Sequence, residues 1–273
     1  MSARQITHIH HLGTAFRERY GPWAVVTGAS DGIGREFARV LAENKFNLVL
    51  CARRDKALQD LANELSASYQ IQCRIVAADL SQPAGTQVLL QATQDLDVGL
   101  LIPAAGFGSS GLFVDGDRAQ EEQMIMLNCV SVMHQCHAFA RRLSQRGKGG
   151  IVLLSSVLAF MGTPRSANYA ATKAYVQSLA EALREELRSA GVDVLASAPG
   201  PTASGFAARA RLQMQQAMTP RTIATVTLDA LGKRGTVRPG WLSKLMGWSL
   251  ATAPRWLQVK IIGSVMKGMA AKS

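Results

Sequence analysis

The sequence predicts an α/β fold: a doubly wound parallel sheet in a single domain, followed by a helical C-terminal extension. Two observations carry that expectation. Short apolar runs alternate along the chain with amphipathic helical stretches, the arrangement of a parallel sheet covered on both faces. The first of those runs leads into a glycine-rich loop that opens a helix, the local context of a dinucleotide-binding, Rossmann-like unit. Composition sets the bounds. Of 273 residues, 48% are hydrophobic and 18% charged, which is enough apolar surface for a full core and too little charge for a disordered chain.

Element by element, Trp23–Thr27 is a buried strand-like run, and Gly34–Asn44 places Phe37, Val40 and Leu41 on one helical face. A strand at Asn47–Cys51 precedes a helix over Asp55–Ala67, and a strand at Cys73–Ala77 precedes one over Gln87–Asp95. Val98–Ile102, a long helix over Gln120–Leu143, a strand at Ile151–Ser155, a helix over Asn168–Ala190 and a strand at Val192–Ala196 complete the alternation. The doubly wound unit therefore fills residues 21–206, with an N-terminal extension at 1–20 and a substrate lid plus basic amphipathic segment at 207–273.

The loop reads Thr27-Gly28-Ala29-Ser30-Asp31-Gly32-Ile33-Gly34. Glycine at 28 permits the tight exit from the strand, Gly32 lets backbone approach a pyrophosphate, and Gly34 lets helix and strand pack closely. The free N–H groups of the helix start then face the phosphates. The second strand ends Cys51-Ala52-Arg53-Arg54. A carboxylate there would bind the ribose 2′-hydroxyl of NAD, whereas two guanidinium forks suit a 2′-phosphate, so NADP(H) is the expected cofactor.

Tyr169 and Lys173 stand four apart on one helix face. A fixed cation beside a phenol favours the phenolate, so the spacing predicts a lowered tyrosine pKa. Ser156 lies thirteen residues upstream at the end of the fifth strand, where its hydroxyl could hold a carbonyl oxygen. Ser155 is an imperfect rival for that role.

Together these residues resemble the short-chain dehydrogenase/reductase family across residues 21–206. The likeness rests on the glycine loop, Asp79-Leu80, Asn128, Ser156, Tyr169 with Lys173, and Pro199-Gly200. It implies an acid/base role for Tyr169, a ribose-holding role for Lys173, carbonyl orientation by Ser156 and a relay water at Asn128. It places cofactor against Gly28, Ser30, Asp31, Gly32, Ile33 and Gly34, against Asp79, Leu80, Ala105 and Gly106, and against Pro199, Gly200, Thr202 and Ser204. One departure is Ala104-Ala105-Gly106 in place of the family's Asn-Ala-Gly, which removes a contact that ties the central sheet. The family habit implies a homodimer or homotetramer built on the long helices.

Charge is uneven. Lys+Arg 30 against Asp+Glu 19 gives +11, and after Asp229 no acidic residue follows while eight basic ones do. Such a block suggests either an anionic partner surface or a solvated basic face. Trp256–Met269 sets Leu257, Ile261, Ile262, Val265, Met266 and Met269 on a broad helical arc, with Lys260 and Lys267 opposite. That arc either packs on the protein or lies in an anionic membrane interface. Tails of this kind resemble those of the family's branch acting on lipid-like ketones. The segment Gly205–Met218 reads as a mobile lid with an adaptable apolar wall.

The four cysteines show no paired spacing, and neither His8/His10/His11 nor His134/His137 has convergent further ligands, so free thiols and no metal are expected. No secretory leader and no spanning run is read, which places the protein in the cytoplasm, with a peripheral contact to the inner face of a membrane as the tail's alternative. Nucleic acid is not an expected partner. The functional reading is an NADPH-dependent reductase of an apolar carbonyl substrate, acyl-chain or steroid-like; the rival is a non-catalytic cofactor sensor or membrane scaffold on the same fold.

Overall fold

The computed structural model describes residues 10–202, 217–240 and 254–269. Seven strands form one parallel sheet: β1 Trp23–Thr27, β2 Asn47–Ala52, β3 Cys73–Ala77, β4 Val98–Pro103, β5 Gly149–Leu154, β6 Val192–Ser197 and β7 Thr236–Val237. Their order is β3-β2-β1-β4-β5-β6-β7, with every pairing parallel. The chain winds outward from β1 in one direction, then returns and winds the other way from β4. The order reverses between β1 and β4, and in open α/β sheets ligands bind outside the carboxyl ends of the strands at such a switch.

Helices cover both faces because the strands are apolar on both sides. β4 and β5 are buried at every position, so neither face can meet water. On one side Phe37, Val40 and Leu41 of α2 (Gly32–Glu43), Leu58, Leu61 and Leu65 of α3 (Asp55–Tyr69) and Leu228 of a later helix, Pro220–Ala230, form a continuous core. On the other, Leu89 of α4 (Pro83–Gln91), Phe139 and Leu143 of a helix at Ser131–Arg146, and Val176 and Ala180 of one at Ala167–Glu186 form a second. The doubly wound expectation holds.

Three local differences have physical reasons. α4 begins four residues earlier than the periodicity predicts because Pro83 supplies a ready-made first turn. The long helix expected over 120–143 is α5 (Arg118–Ile125) and α6 (Ser131–Arg146) joined by a π-helical turn at Met126–Val130. Asn128 lies on that turn, and apolar periodicity carries no signal for such an inserted residue. Residues read as an N-terminal extension instead pack on the domain: α1 (Thr14–Tyr20) buries Tyr20 in the core, and its hydroxyl donates to Asp193 at 2.7 Å.

The remaining helices are α7 (Ala167–Glu186), α8 (Pro220–Ala230) and α9 (Arg255–Met269). Arg221 of α8 binds Glu43 of α2 through two nitrogens, each at 2.8 Å, which fastens the two helices on their shared face. None of the described helices is long and apolar enough to cross a membrane.

Candidate active site

A cleft of about 460 Å³ opens at the carboxyl edge of the sheet, around the β1/β4 switch. Its first end is built from main chain. Gly28 turns out of β1 with φ 65°, where a Cβ would stand 2.9 Å from the Ala104 carbonyl oxygen. A Cβ at Gly34 would collide with the Gly28 carbonyl oxygen. Glycine at both positions is therefore required by close approach of loop to loop and of helix to loop. Asp31 caps α2 by accepting from the Gly32 amide at 2.7 Å, and the helix start lines the cleft together with Ser30 and Ile33.

Arg53 and Arg54 line the same end and are exposed. Arg54 donates to the Ser30 carbonyl at 3.2 Å and to its hydroxyl at 3.1 Å, and stands 3.8 Å from the Asp31 carboxylate. Arg53 has no ion-pair partner among the described residues. A glycine cradle, a helix N-terminus and two guanidinium groups make a donor set that fits a dinucleotide carrying an extra phosphate.

Asp79 and Leu80 line the cleft beyond β3. The Asp79 carboxylate accepts from the Ser81 amide at 3.0 Å and the Ser81 hydroxyl at 2.8 Å, which fixes its orientation. Across the switch, Ala105 donates its N–H to Thr27 Oγ1 at 3.1 Å, so β1 and the segment after β4 are tied despite alanine at 104. Gly106 packs against Asn128 Oδ1 and near Lys173 Nζ. Asn128 is buried and fully engaged: it accepts from the Phe107 amide at 3.2 Å and donates to the Phe107 carbonyl at 2.9 Å and to Thr172 Oγ1 at 3.1 Å. It clamps the loop after β4 onto α7.

Ser156, Tyr169 and Lys173 converge at the middle of the cleft. Ser156 hydrogen-bonds Tyr169 through its side chain and accepts from the Leu158 amide at 3.2 Å. Ser155 instead donates to the Lys173 carbonyl at 3.2 Å, a fixing role within the chain. Lys173 Nζ donates to the Leu154 carbonyl at 2.8 Å and lies 5.7 Å from the centre of the Tyr169 ring.

The electrostatics correct one expectation. Burial pushes the Tyr169 phenol up to about 12, with the Ser156 hydrogen bond opposing it, so the phenol is raised rather than lowered. The phenol's own desolvation sets the direction. Burial also brings Lys173 down to about 8, and its ammonium is turned to a main-chain carbonyl and not to the phenol oxygen.

Pro199, Gly200 and Thr202 follow β6 into the cleft, where Thr202 donates to the Gly200 carbonyl at 3.0 Å. Ser204 and lid residues 205–216 lie outside the described residues. The far end is apolar. Leu158 and, from α9, Ile262, Val265 and Met266 line it, and Ile262 and Met266 are buried with Met161 against Leu158 and Phe160. Part of the tail's apolar arc thus packs on the protein as a wall of the cleft. The periodicity of 256–269 exposed the arc, but nothing in the sequence named the surface it covers. Ser166, which also lines the cleft, was equally unmarked. His134 and His137 are exposed on α6, and among the described residues no three His, Cys, Asp or Glu side chains form a metal-holding group.

Comparison with known proteins matches this geometry. The sequence model of a family described as short chain dehydrogenase covers residues 22–215. A very-long-chain 3-oxoacyl-CoA reductase of Pyricularia oryzae is 34% identical over 270 residues, covering 91% of this chain and 80% of that protein. A structure solved in a study of 7beta-hydroxysteroid dehydrogenase stereoselectivity superposes with a TM-score of 0.84 at 28% identity, over 91% of this chain and 99% of the other. A short-chain dehydrogenase from Sphingobium yanoikuyae, solved in complex with NADPH, gives 0.78 at 28% identity over 93% and 98%.

Proposed function

The chain is an oxidoreductase of the short-chain dehydrogenase family, and on that premise we propose that it uses NADPH to reduce the ketone of a bulky, lipid-like substrate. The observation that carries the reading is the Ser156–Tyr169 hydrogen bond at the midpoint of a cleft with phosphate donors at one end and an apolar wall at the other. Bound NADPH supplies the hydride. Gly28, Gly32, Gly34 and the start of α2 hold its phosphates, Arg53 and Arg54 its extra phosphate, and Lys173 the ribose beside the reacting ring. Pro199, Gly200 and Thr202 would flank that ring.

The protein's own work at the carbonyl is to fix and protonate it. Ser156 holds the carbonyl oxygen, and the Tyr169 hydroxyl donates its proton as that oxygen gains negative charge. A phenol pushed up to about 12 stays protonated throughout the neutral range, the form a proton donor needs. Leu158, Ile262, Val265 and Met266 accept the apolar body of the substrate. The steroid and long-acyl substrates named for the similar proteins support that class.

NADPH oxidation followed across a panel of short, long-chain and steroidal ketones tests the reading. Tyr169→Phe should lower turnover by about 10²–10⁴-fold while leaving NADPH binding in place. Equal turnover by the two proteins would remove Tyr169 as the proton donor, and no turnover with any ketone would assign the fold to a non-catalytic cofactor-binding role.

A further inference from the structure

The rim of the cleft carries an unusual set of apolar side chains in water. Leu112, Phe113 and Val114 are 52%, 67% and 87% exposed, and Trp256, Ile261 and Val265 of α9 are 62%, 43% and 44% exposed. The two groups flank one stretch of chain. The Gly111 amide donates to the Arg165 carbonyl at 2.9 Å, and Gly263 packs on Pro164, whose Cγ would lie 3.0 Å from a Cβ there. Both also adjoin the cleft itself, the first three residues after cleft-lining Ser109 and the second through Val265.

Packing does not explain these residues. Ile262 and Met266 already turn inward; Ile261 and Val265 each lie about 100° around the helix from the buried residue that follows them. A large exposed apolar patch marks a contact with something. Charge says with what. Lys260 lies over Trp256 at 5.4 Å, and Lys267 is exposed on the same flank of α9. After Asp229 the chain adds eight basic residues and no acidic one. A second copy of this chain would set that charge against itself. An anionic lipid surface meets both the apolar and the basic side chains at once. The loop carries two acids, Asp115 after Val114 and Asp117, which caps α5 at 3.0 Å from the Ala119 amide, against the eight basic residues of the tail.

We propose that the mouth of the cleft docks on an anionic lipid surface. Phe113, Val114 and Ile261 enter the interface, the basic tail supplies the attraction, and an apolar substrate passes between bilayer and cleft without crossing bulk water. Docking is measured without substrate, so it stands or falls separately from the reductase reading.

The experiment is co-sedimentation of the full chain with phosphatidylcholine vesicles, with and without phosphatidylglycerol, at low and at physiological salt. The protein should pellet with the acidic vesicles only, and less at higher salt. Lys260→Glu/Lys267→Glu should weaken that binding by roughly tenfold or more, and Phe113→Ser/Val114→Ser should weaken it at every salt concentration. The second variant should keep the melting temperature and its turnover of a water-soluble ketone, since neither side chain lines the cleft. The proposal is overturned if the native protein ignores acidic vesicles at low salt, or if both variants bind as it does. It is overturned too if Phe113→Ser/Val114→Ser splits a dimer in sedimentation velocity, for the patch is then a contact between copies.

Discussion

At the nucleotide end of the cleft, Gly28, Gly32 and Gly34 present main chain; at the substrate end, Leu158, Ile262 and Met266 present side chains from segments far apart in sequence. The first end comes from one strand–loop–helix unit whose conformation its own glycines dictate. The second forms only when α9, at the far end of the chain, packs over the turn that follows β5. An end made of backbone tolerates almost no change at its glycines and holds one kind of ligand. An end made of apolar side chains can be reshaped one methyl at a time without disturbing the other. The two meet at Tyr169 and Lys173.

The sharpest way to break that division is to remove the group at the junction. Lys173 is brought from its ordinary 10.5 down to about 8 by burial. Between those values the unfolded chain binds the extra proton, so this lysine makes stability rise with pH through the window from about 8 to 10.5, by roughly 3 kcal/mol. Lys173→Met should abolish that rise and be the more stable protein at pH 7, while losing activity. The opposing change from Tyr169, raised from 10 to about 12, and from the thiols of Cys51 and Cys136, which burial pushes up to about 12, destabilises both proteins alike as pH climbs toward those values. Denaturant unfolding of both at pH 7 and 9.5 isolates the lysine. A difference between them that does not change with pH would mean that the ammonium is better solvated than its place in the fold implies.

A smaller effect tests the nucleotide end. Arg53→Ala/Arg54→Ala should weaken NADPH by about 1.5–3 kcal/mol, the worth of a hydrogen bond to a charged group, and leave NADH nearly unchanged. Turnover of long and short ketones should then shift by the same factor, because Arg53 and Arg54 follow β2 while the apolar wall is built from the turn after β5 and from α9. If titration shows equal losses for the two cofactors, the guanidinium groups serve the loop through Ser30 and Asp31 and not a 2′-phosphate.

The same division governs what could be read before the structure. All six strands proposed from apolar runs exist within two residues of their expected bounds at either end, because all but the edge strand β3 are buried along almost their whole length and the sequence shows it. Gly28 and Gly34 were legible because a Cβ at either meets backbone, a constraint that leaves only one residue type. Ser156, Tyr169 and Lys173 were legible as spacings on a strand end and a helix. The two-residue β7 was not, since Thr236–Val237 is too short to carry a pattern. The π turn at Asn128 was not, since its cause is tertiary: a side chain satisfied by Phe107 and Thr172. The raised phenol pKa was missed for a similar reason, as sequence gives the distance between Tyr169 and Lys173 along a helix and not what surrounds either.

The smallest expected effect sharpens the comparison most. Ile262 is buried against Met161 and Leu158 and also lines the cleft, so on the proposed reading its side chain serves packing and substrate at once. Ile262→Val removes one methylene. Its cost to stability should lie near the low end of about 0.5–1.5 kcal/mol, because the cluster it belongs to is small and adjoins water. Its cost to a ligand that fills the far end is of the order of 1 kcal/mol for the one lost contact, about a fivefold fall in kcat/KM. A ketone too short to reach α9 should lose nothing, and NADPH affinity should be unchanged. Paired kcat/KM values for a short and a long ketone, with a cofactor titration beside them, read all three. Equal losses for the two ketones, or a weakened cofactor, would show that α9 braces the whole cleft and that its two ends are not independent.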